Sequence, residues 1–315
     1  MKLHTAINQY VKYRQSLGAR FRSNRMLLNS FVCAMGTRIN LADVKSESVS
    51  KYLAGTTPTI TTYWHAKHQA LNGFYRYALS RGHISTSPLP IAKPKRPPGF
   101  VPYIYNVKEM RSLLDACANY QSKGLLEAYT IRAILLVLYG AGLRIGEAIS
   151  LTLADVDLSQ ELLTIRETKF YKTRFVPLGK QLTQILFQYI GQRQRKKHPQ
   201  NPEAPFFVGR TGKPISRNAA EVAFRVIREK ARIRRTDGAR YQPRLHDLRH
   251  SFAVHRLTAW YKEGCDVQRL LPVLSVYLGH AKMASTSTYL TMTPMLLEEA
   301  GRRFEQYAFK EVVHD

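Results

Sequence analysis

Residues 91–103 read IAKPKRPPGFVPY, and five prolines fall between positions 90 and 102. Proline has no backbone N–H to donate and biases the residue before it away from helix. Neither a continuous helix nor an interior strand can cross such a segment. A chain of 315 residues is also longer than one hydrophobic core ordinarily serves. The segment therefore divides the chain into an N-terminal domain at 1–90, a linker at 91–103 and a C-terminal domain at 104–315. Lys93, Lys95 and Arg96 give the linker a positive charge, which suits it to lie along phosphates between the two domains.

Lys and Arg number 48 against 22 Asp and Glu, a formal net charge of +26. A folded protein this basic repels itself, which points to a polyanionic partner. The charge is uneven: residues 1–100 hold 15 basic side chains against 2 acidic ones, and residues 101–315 hold 33 against 20. The first hundred residues are not a low-complexity tail. Leu3, Ile7, Tyr10 and Val11 open one helix, Met26, Leu27, Phe31 and Val32 lie in a second, and Val49, Tyr52 and Leu53 mark a third. A fourth is expected over about 59–80, with Trp64, Leu71, Phe74, Tyr75 and Tyr77, stopped by Arg81-Gly82-His83. Four short helices with this charge read as a clamp on a DNA backbone rather than a merely solvated bundle.

No apolar run approaches the roughly 18 residues of a membrane span, and Met1-Lys2-Leu3-His4-Thr5 leads into no apolar signal core. Cys33, Cys117 and Cys265 are far apart and form no CxxC pair, so neither a disulfide framework nor a cysteine zinc site is indicated. A cytoplasmic, nucleoid-associated protein is expected, and secreted, membrane and acidic-solute-binding classes are disfavoured.

The C-terminal domain reads as mostly helical with one small hairpin. Asn106 is a helix N-cap, followed by Val107, Met110, Leu113 and Leu114 on one face. Residues 125–139 form a strongly apolar buried helix, which is core and not a cofactor box. It ends at Gly140-Ala141-Gly142, and a new helix opens near Arg144. Strands are expected at 162–166 and 174–178, joined by a turn at 167–173. Helices follow near 181–197, 216–232, 245–260, 266–278, 285–290 and 295–308. The run Arg193-Gln194-Arg195-Lys196-Lys197-His198 reads as a solvated helix end placed to touch DNA.

Four features are unusual together. They are Gly142-Leu143-Arg144-Ile145-Gly146-Glu147, Lys169 in the hairpin turn, His246-Asp247-Leu248-Arg249-His250, and Leu278-Gly279-His280 with Tyr289 nine residues on. These side chains answer the three problems of a phosphodiester. Guanidinium forks such as Arg144 and Arg249 neutralise non-bridging oxygens by bidentate hydrogen bonding. A phenol with an ordinary pKa of about 10 needs cations and a histidine to become a nucleophile. The leaving 5′-oxygen needs a proton, which a lysine in a turn can reach to supply. The product is a 3′-phosphotyrosyl ester that stores the bond energy for rejoining, so neither ATP nor a metal is required and no cofactor is expected. His246 and His250 also have the i, i+4 spacing of a zinc hydrolase pair. However, Asp247 stands where such a motif has Glu, and no third ligand is evident.

This pattern resembles the tyrosine recombinases, the phage integrases and Xer-type recombinases, whose catalytic domain is similar to that of type IB topoisomerases. The matching segments are 142–147, Lys169 with Thr173-Arg174-Phe175-Val176-Pro177-Leu178, 246–250, 278–280 and Thr288-Tyr289, in the family's order. The resemblance implies a mainly α chain: an N-terminal helical, SAM-like core-binding domain, then a mixed α/β, mostly helical catalytic domain with a small β-hairpin or sheet. It implies that Arg144 and Arg249 clamp the scissile phosphate. Lys169 is the general acid, with Lys172 as the alternative. His246 is general base or proton donor, His280 hydrogen-bonds a phosphate oxygen, and Tyr289 is the nucleophile. His250 and Glu147 hold the arginines or their helices in place.

Two domains are then expected to form a C-shaped clamp around duplex DNA, with four protomers acting on two sites. The helix at 295–308, with Met295, Leu296, Leu297, Ala300 and Phe304, is expected to dock on a neighbouring subunit. Thirty-one residues separate Arg249 from His280, more than a compact Xer-type member has. The extra residues fall within about 260–275 and suggest a subgroup carried by a mobile element, with accessory recombination proteins as further candidate partners. The alternatives are a relaxing enzyme of the type IB topoisomerase kind and a DNA-binding regulator with vestigial catalytic residues.

Overall fold

The computed structural model describes residues 1–56, 59–97, 99–120, 124–166, 173–280, 282–291, 297–299, 301–302 and 305. The chain forms two compact units, Met1–Phe100 and Val101–Asp315, and the break falls inside the proline-rich segment. Among the described residues no helix is long and apolar enough to cross a membrane.

Unit 1 contains α1 (Leu3–Ser16), α2 (Arg22–Met35), α3 (Ser46–Ala54) and α4 (Thr62–Ser80). Leu3, Ile7, Leu28, Phe31, Val49, Leu53, Leu71 and Phe74 converge on one apolar core. In α2 the inward residues are Leu28, Phe31 and Val32, while Met26 is exposed. Phe31 and Val32 thus lie inward as expected and Leu27 packs against the core, while Leu28 takes the inward place expected of Met26. The fourth helix starts later than expected because Thr61 caps it, accepting from Trp64 N at 3.3 Å. Lys67 is buried rather than displayed: its Nζ donates to Tyr52 O at 2.7 Å and lies 4.4 Å from the Tyr52 ring centre, which ties α4 to α3.

Unit 2 is built around α6 (Ala128–Gly140), whose Ile131, Ile134, Leu135 and Leu138 are fully buried. Leu125 lies before this helix and is exposed, so the buried segment is shorter than the apolar run suggests. Around α6 pack α5 (Val107–Ala118), α8 (Lys180–Arg195), α9 (Arg217–Lys230) and α10 (Asp247–Lys262). The first of these carries the full capping box of Asn106 and Glu109. The expected hairpin is a three-stranded antiparallel sheet of β1 (Val156–Asp157), β2 (Leu162–Ile165) and β3 (Arg174–Pro177). Two residues are too few to leave a period in the sequence, which is why β1 escapes notice.

The remaining elements position the site. Chief among them are α7 (Ile145–Ile149), α11 (Val267–Leu278), α12 (Ala284–Ser287) and the 3₁₀ turn Thr288–Thr291. A second apolar cluster of Phe252, Leu257, Val267, Leu271, Leu274 and Leu278 joins α10 to α11 and encloses Tyr289.

Arg193 corrects the solvated reading of the helix end. It is fully buried, and its guanidinium donates to the carbonyls of Phe206 (3.3 Å), Pro205 (2.9 Å) and Pro199. His198 is buried as well. The chain turns back after Lys197 and wraps its own carbonyls around the arginine.

Candidate active site

The site is organised by the end of one helix. Gly279 closes α11 at φ +64°, a left-handed conformation natural to glycine. The closing bonds run from Gly279 N to Val276 O (2.9 Å) and from His280 N to Ser275 O (3.0 Å), a Schellman arrangement. The carbonyls left over at the negative end of α11 are taken by three guanidinium groups. Arg174 Nε donates to Tyr277 O at 2.9 Å. Arg249 Nη2 donates to Leu278 O at 2.5 Å, and Arg144 Nη1 reaches the same oxygen at 3.3 Å. Arg144 Nη2 donates to Gly279 O at 3.0 Å. An arginine at the N-terminus of α7 is poorly placed with respect to its own helix, but here its charge sits at the opposite pole of another.

Glu147 holds the three cations together. It accepts from Arg174 at 2.8 and 3.1 Å and from Arg144 Nη1 at 2.7 Å, and it lies 3.8 Å from Arg249. Burial pushes the Glu147 carboxyl up, but hydrogen bonds and charge from Arg174, and then from Arg144, overcome this and hold it at about 2. Arg249 Nη1 also donates to Gly142 O at 2.7 Å. Gly142 has φ +61°, and a Cβ there would meet the Phe252 ring at 2.5 Å. Burial and the adjacent Arg144 lower Arg249 to about 10, which leaves it a cation at neutral pH.

Tyr289 lies in the 3₁₀ turn after α12 and is only 2% exposed. Its hydroxyl is hydrogen-bonded with His250 Nδ1 at 3.1 Å. Its ring lies 6.1 Å from that of His280 and 5.6 Å from that of His250. Burial raises the phenol pKa, and Arg249 and Arg144 work against that rise. His280 Nδ1 is 2.7 Å from the hydroxyl of Thr286, which is itself fully buried. His246 meets His250 edge to face at 4.9 Å. It precedes α10 rather than lying within it, because the backbone N–H of Arg244 bonds to Asp247 at 2.8 Å and the helix begins there. Burial and the surrounding arginines push His246, His250 and His280 each down to about 4.

Of the residues singled out from the sequence, Arg144, Glu147, His246, Arg249, His250, His280 and Tyr289 are thus gathered around the end of α11. Lys169 and Lys172 lie in 167–172, outside the described residues, as does most of the 295–308 helix. Two contributors went unassigned. Arg174 was visible only as part of a motif, yet period-2 alternation puts it on the inward face of β3 with Val176, an unusual place for an arginine. Thr286 carries no signal in the sequence. Among the described residues no three His, Cys, Asp or Glu side chains converge as a metal site.

Residues 105–294 match the phage integrase family. The chain belongs to that family. The Sinorhizobium fredii protein y4rB, named as an integrase/recombinase, is 31% identical over 306 residues, 96% of each chain. The tyrosine recombinase XerC of Pelobacter propionicus is 29% identical over 264 residues, 82% of this chain and 79% of its own. Among solved structures, the Tn1549 transposon integrase in complex with a circular intermediate DNA superposes with a TM-score of 0.70 at 16% identity, over 96% of this chain and 99% of that one. XerH bound to palindromic difH substrate gives 0.63 at 20% identity, over 94% and 83%. At such identities the two structures establish the fold, that of the mostly helical tyrosine recombinases. As a member of this family the protein is a site-specific tyrosine recombinase.

Proposed function

We propose that this recombinase cuts and rejoins duplex DNA by transesterification through a 3′-phosphotyrosyl ester on Tyr289. Arg144 and Arg249 fork the scissile phosphate, and His280, oriented by Thr286, hydrogen-bonds a non-bridging oxygen. Lys169 or Lys172 protonates the leaving 5′-oxygen, and His246 serves in acid–base exchange at the phosphate. Glu147 and Arg174 fix the arginine pair. The observation that carries this reading is the buried Tyr289 hydroxyl, 3.1 Å from His250 Nδ1 with its ring 6.1 Å from that of His280, at the helix end where Arg249 and Arg144 converge on Leu278 O. DNA as partner is supported by the +26 charge and by the DNA-bound state of the XerH and Tn1549 structures. The reading includes action as a homo-oligomer on DNA, a tetramer at two sites, with residues 295–308 docking in trans.

The test uses the full-length protein and a nicked duplex carrying the DNA segment it captures most strongly from its own genome. Cleavage next to the nick traps the covalent complex because the short product diffuses away. An SDS-resistant adduct is expected from the wild type and none from Tyr289→Phe, while DNA binding persists in both. Adduct formation by Tyr289→Phe would overturn the assignment.

A further inference from the structure

The Tyr289 hydroxyl has one hydrogen to give, and its hydrogen-bond partner is His250 Nδ1 at 3.1 Å. Arg249 and Arg144 lie close enough for their charge to favour the phenolate. With the imidazole proton on Nε2, Nδ1 presents a lone pair and accepts the phenolic hydrogen. The geometry points to His250 as the catalytic residue that takes the phenolic proton when Tyr289 attacks phosphorus. The sequence had placed His250 only in support of its neighbours. This assignment rests on Tyr289 being the nucleophile.

The surroundings of His250 fit an acceptor. The groups that face it are His246, edge to face at 4.9 Å, the Tyr289 ring at 5.6 Å, His280, and the guanidiniums of Arg244 and Arg249. The nearby carboxylates are occupied: Asp247 bonds Arg244, and Glu147 bonds Arg144 and Arg174. Among the described residues nothing anionic keeps the imidazole protonated before DNA arrives, so it starts neutral, and in the Nε2-protonated tautomer the lone pair is on the atom nearest the phenol. His246, whose ring meets that of His250 edge to face, keeps the exchange at the phosphate proposed above.

The step balances. The Tyr289 oxygen forms a bond to phosphorus as its proton passes to His250 Nδ1. The bond from phosphorus to the 5′-oxygen breaks, and that oxygen takes a proton from the general acid. In rejoining, the 5′-hydroxyl attacks, the bond from phosphorus to the Tyr289 oxygen breaks, and the imidazolium returns its proton to the phenolate. Docking of the anionic phosphate among the arginines lowers the cost of the transient second cation at His250.

The experiment is single-turnover cleavage of the nicked duplex by full-length His250→Ala and His250→Asn, with His246→Ala alongside. Asparagine keeps a hydrogen-bond acceptor without the basicity. General-base removal ordinarily costs about 10²–10⁴-fold, and both His250 variants should slow by that order with DNA binding retained. Their rates should then climb tenfold per pH unit between about pH 6 and 9, following the phenolate fraction. Replacing Tyr289 by 3,5-difluorotyrosine, a more acidic phenol that ionises closer to neutral pH, should restore most of the lost rate in both His250 variants and not in His246→Ala. The proposal is overturned if His250→Asn cleaves within threefold of the wild type. It is equally overturned if difluorotyrosine leaves the defect unchanged or rescues His246→Ala instead. Adduct formation by Tyr289→Phe would sink the parent reading; normal wild-type cleavage with indifferent His250 variants would sink this one alone.

Discussion

Glu147→Gln is the sharpest perturbation of the arginine cluster. Glutamine has the shape of a protonated glutamate, so the variant reproduces the wild type with that one carboxyl neutralised. The side chain is 11% exposed, so solvent screens little of its interaction. Its pKa falls from an ordinary 4.5 to about 2 in the folded protein. At about 1.4 kcal/mol per unit, that depression stabilises the fold by about 3 kcal/mol near neutral pH, in line with what breaking a buried ion pair ordinarily costs. Because the folded value lies below the unfolded one, the stabilisation is fully present above about pH 4.5 and is lost as pH falls towards 2. Trp64 and Trp260 are the two tryptophans of the chain, one in each unit, so a Trp64→Phe background makes fluorescence report unit 2 alone. Urea unfolding at pH 7 should show the variant weaker by about 3 kcal/mol, and the gap should close on acidification. A gap under about 1 kcal/mol, or one that holds constant from pH 5 to 3, would refute the reasoning.

Three further outcomes are expected. Gly279→Ala places a side chain at φ +64° with its Cβ 2.8 Å from Arg174 Nη1; it should destabilise unit 2 by at least about 1–2 kcal/mol in the same assay, and unchanged stability would count against the helix-end account. His246, His250 and His280 are each held near 4, so the stability they confer is complete above about pH 6.5 and declines as pH falls towards 4. Histidine ring-proton NMR of the DNA-free protein should give their midpoints well below 6, and a value above 6 for any of them would contradict the burial argument. Arg193→Met leaves the carbonyls of Phe206, Pro199 and Pro205 without their donor and should cost about 1–3 kcal/mol for the worst of them, with DNA affinity unchanged; weaker binding at full stability would restore the solvated, DNA-touching role.

Regular local pattern was readable from the chain and closure at a distance was not. The helical period announced α6, α9 and α11 to within a few residues, and the Asn106 N-cap marked where α5 begins. Errors arose where a distant segment decides. Arg193 belongs by composition to a basic run, but it is buried by carbonyls from residues 199 to 206. Met26 and Leu28 are both apolar, and only the packing of α2 on its neighbours chooses Leu28. In the site, residue types and order named the participants, but spacing cannot say that three arginines from three elements end on one helix terminus. Arg174 shows the difference: its strand register marks it as inward-facing, yet its partners Glu147 and Tyr277 lie 27 and 103 positions away.

That shared terminus also explains how so much positive charge is tolerated before DNA binds. Among the described residues three guanidiniums face a single carboxylate, and the other nearby acid, Asp247, is committed to Arg244. The carbonyls of Tyr277, Leu278 and Gly279 supply partial negative charge at the pole where cations are favoured. Fixed dipoles of this kind stabilise the arginines without neutralising them, so the cluster keeps a cationic surplus. On the proposed chemistry the phosphate supplies the missing anion, and the surplus is matched best when charge peaks on its oxygens during attack. Arg249 is nearly fully buried, while 37% of the Arg144 side chain remains in solvent. Arg144 is therefore the member of the pair that an incoming phosphate meets first, and buried Arg249, whose charge works against the rise in the Tyr289 pKa, is the one that acts on the nucleophile.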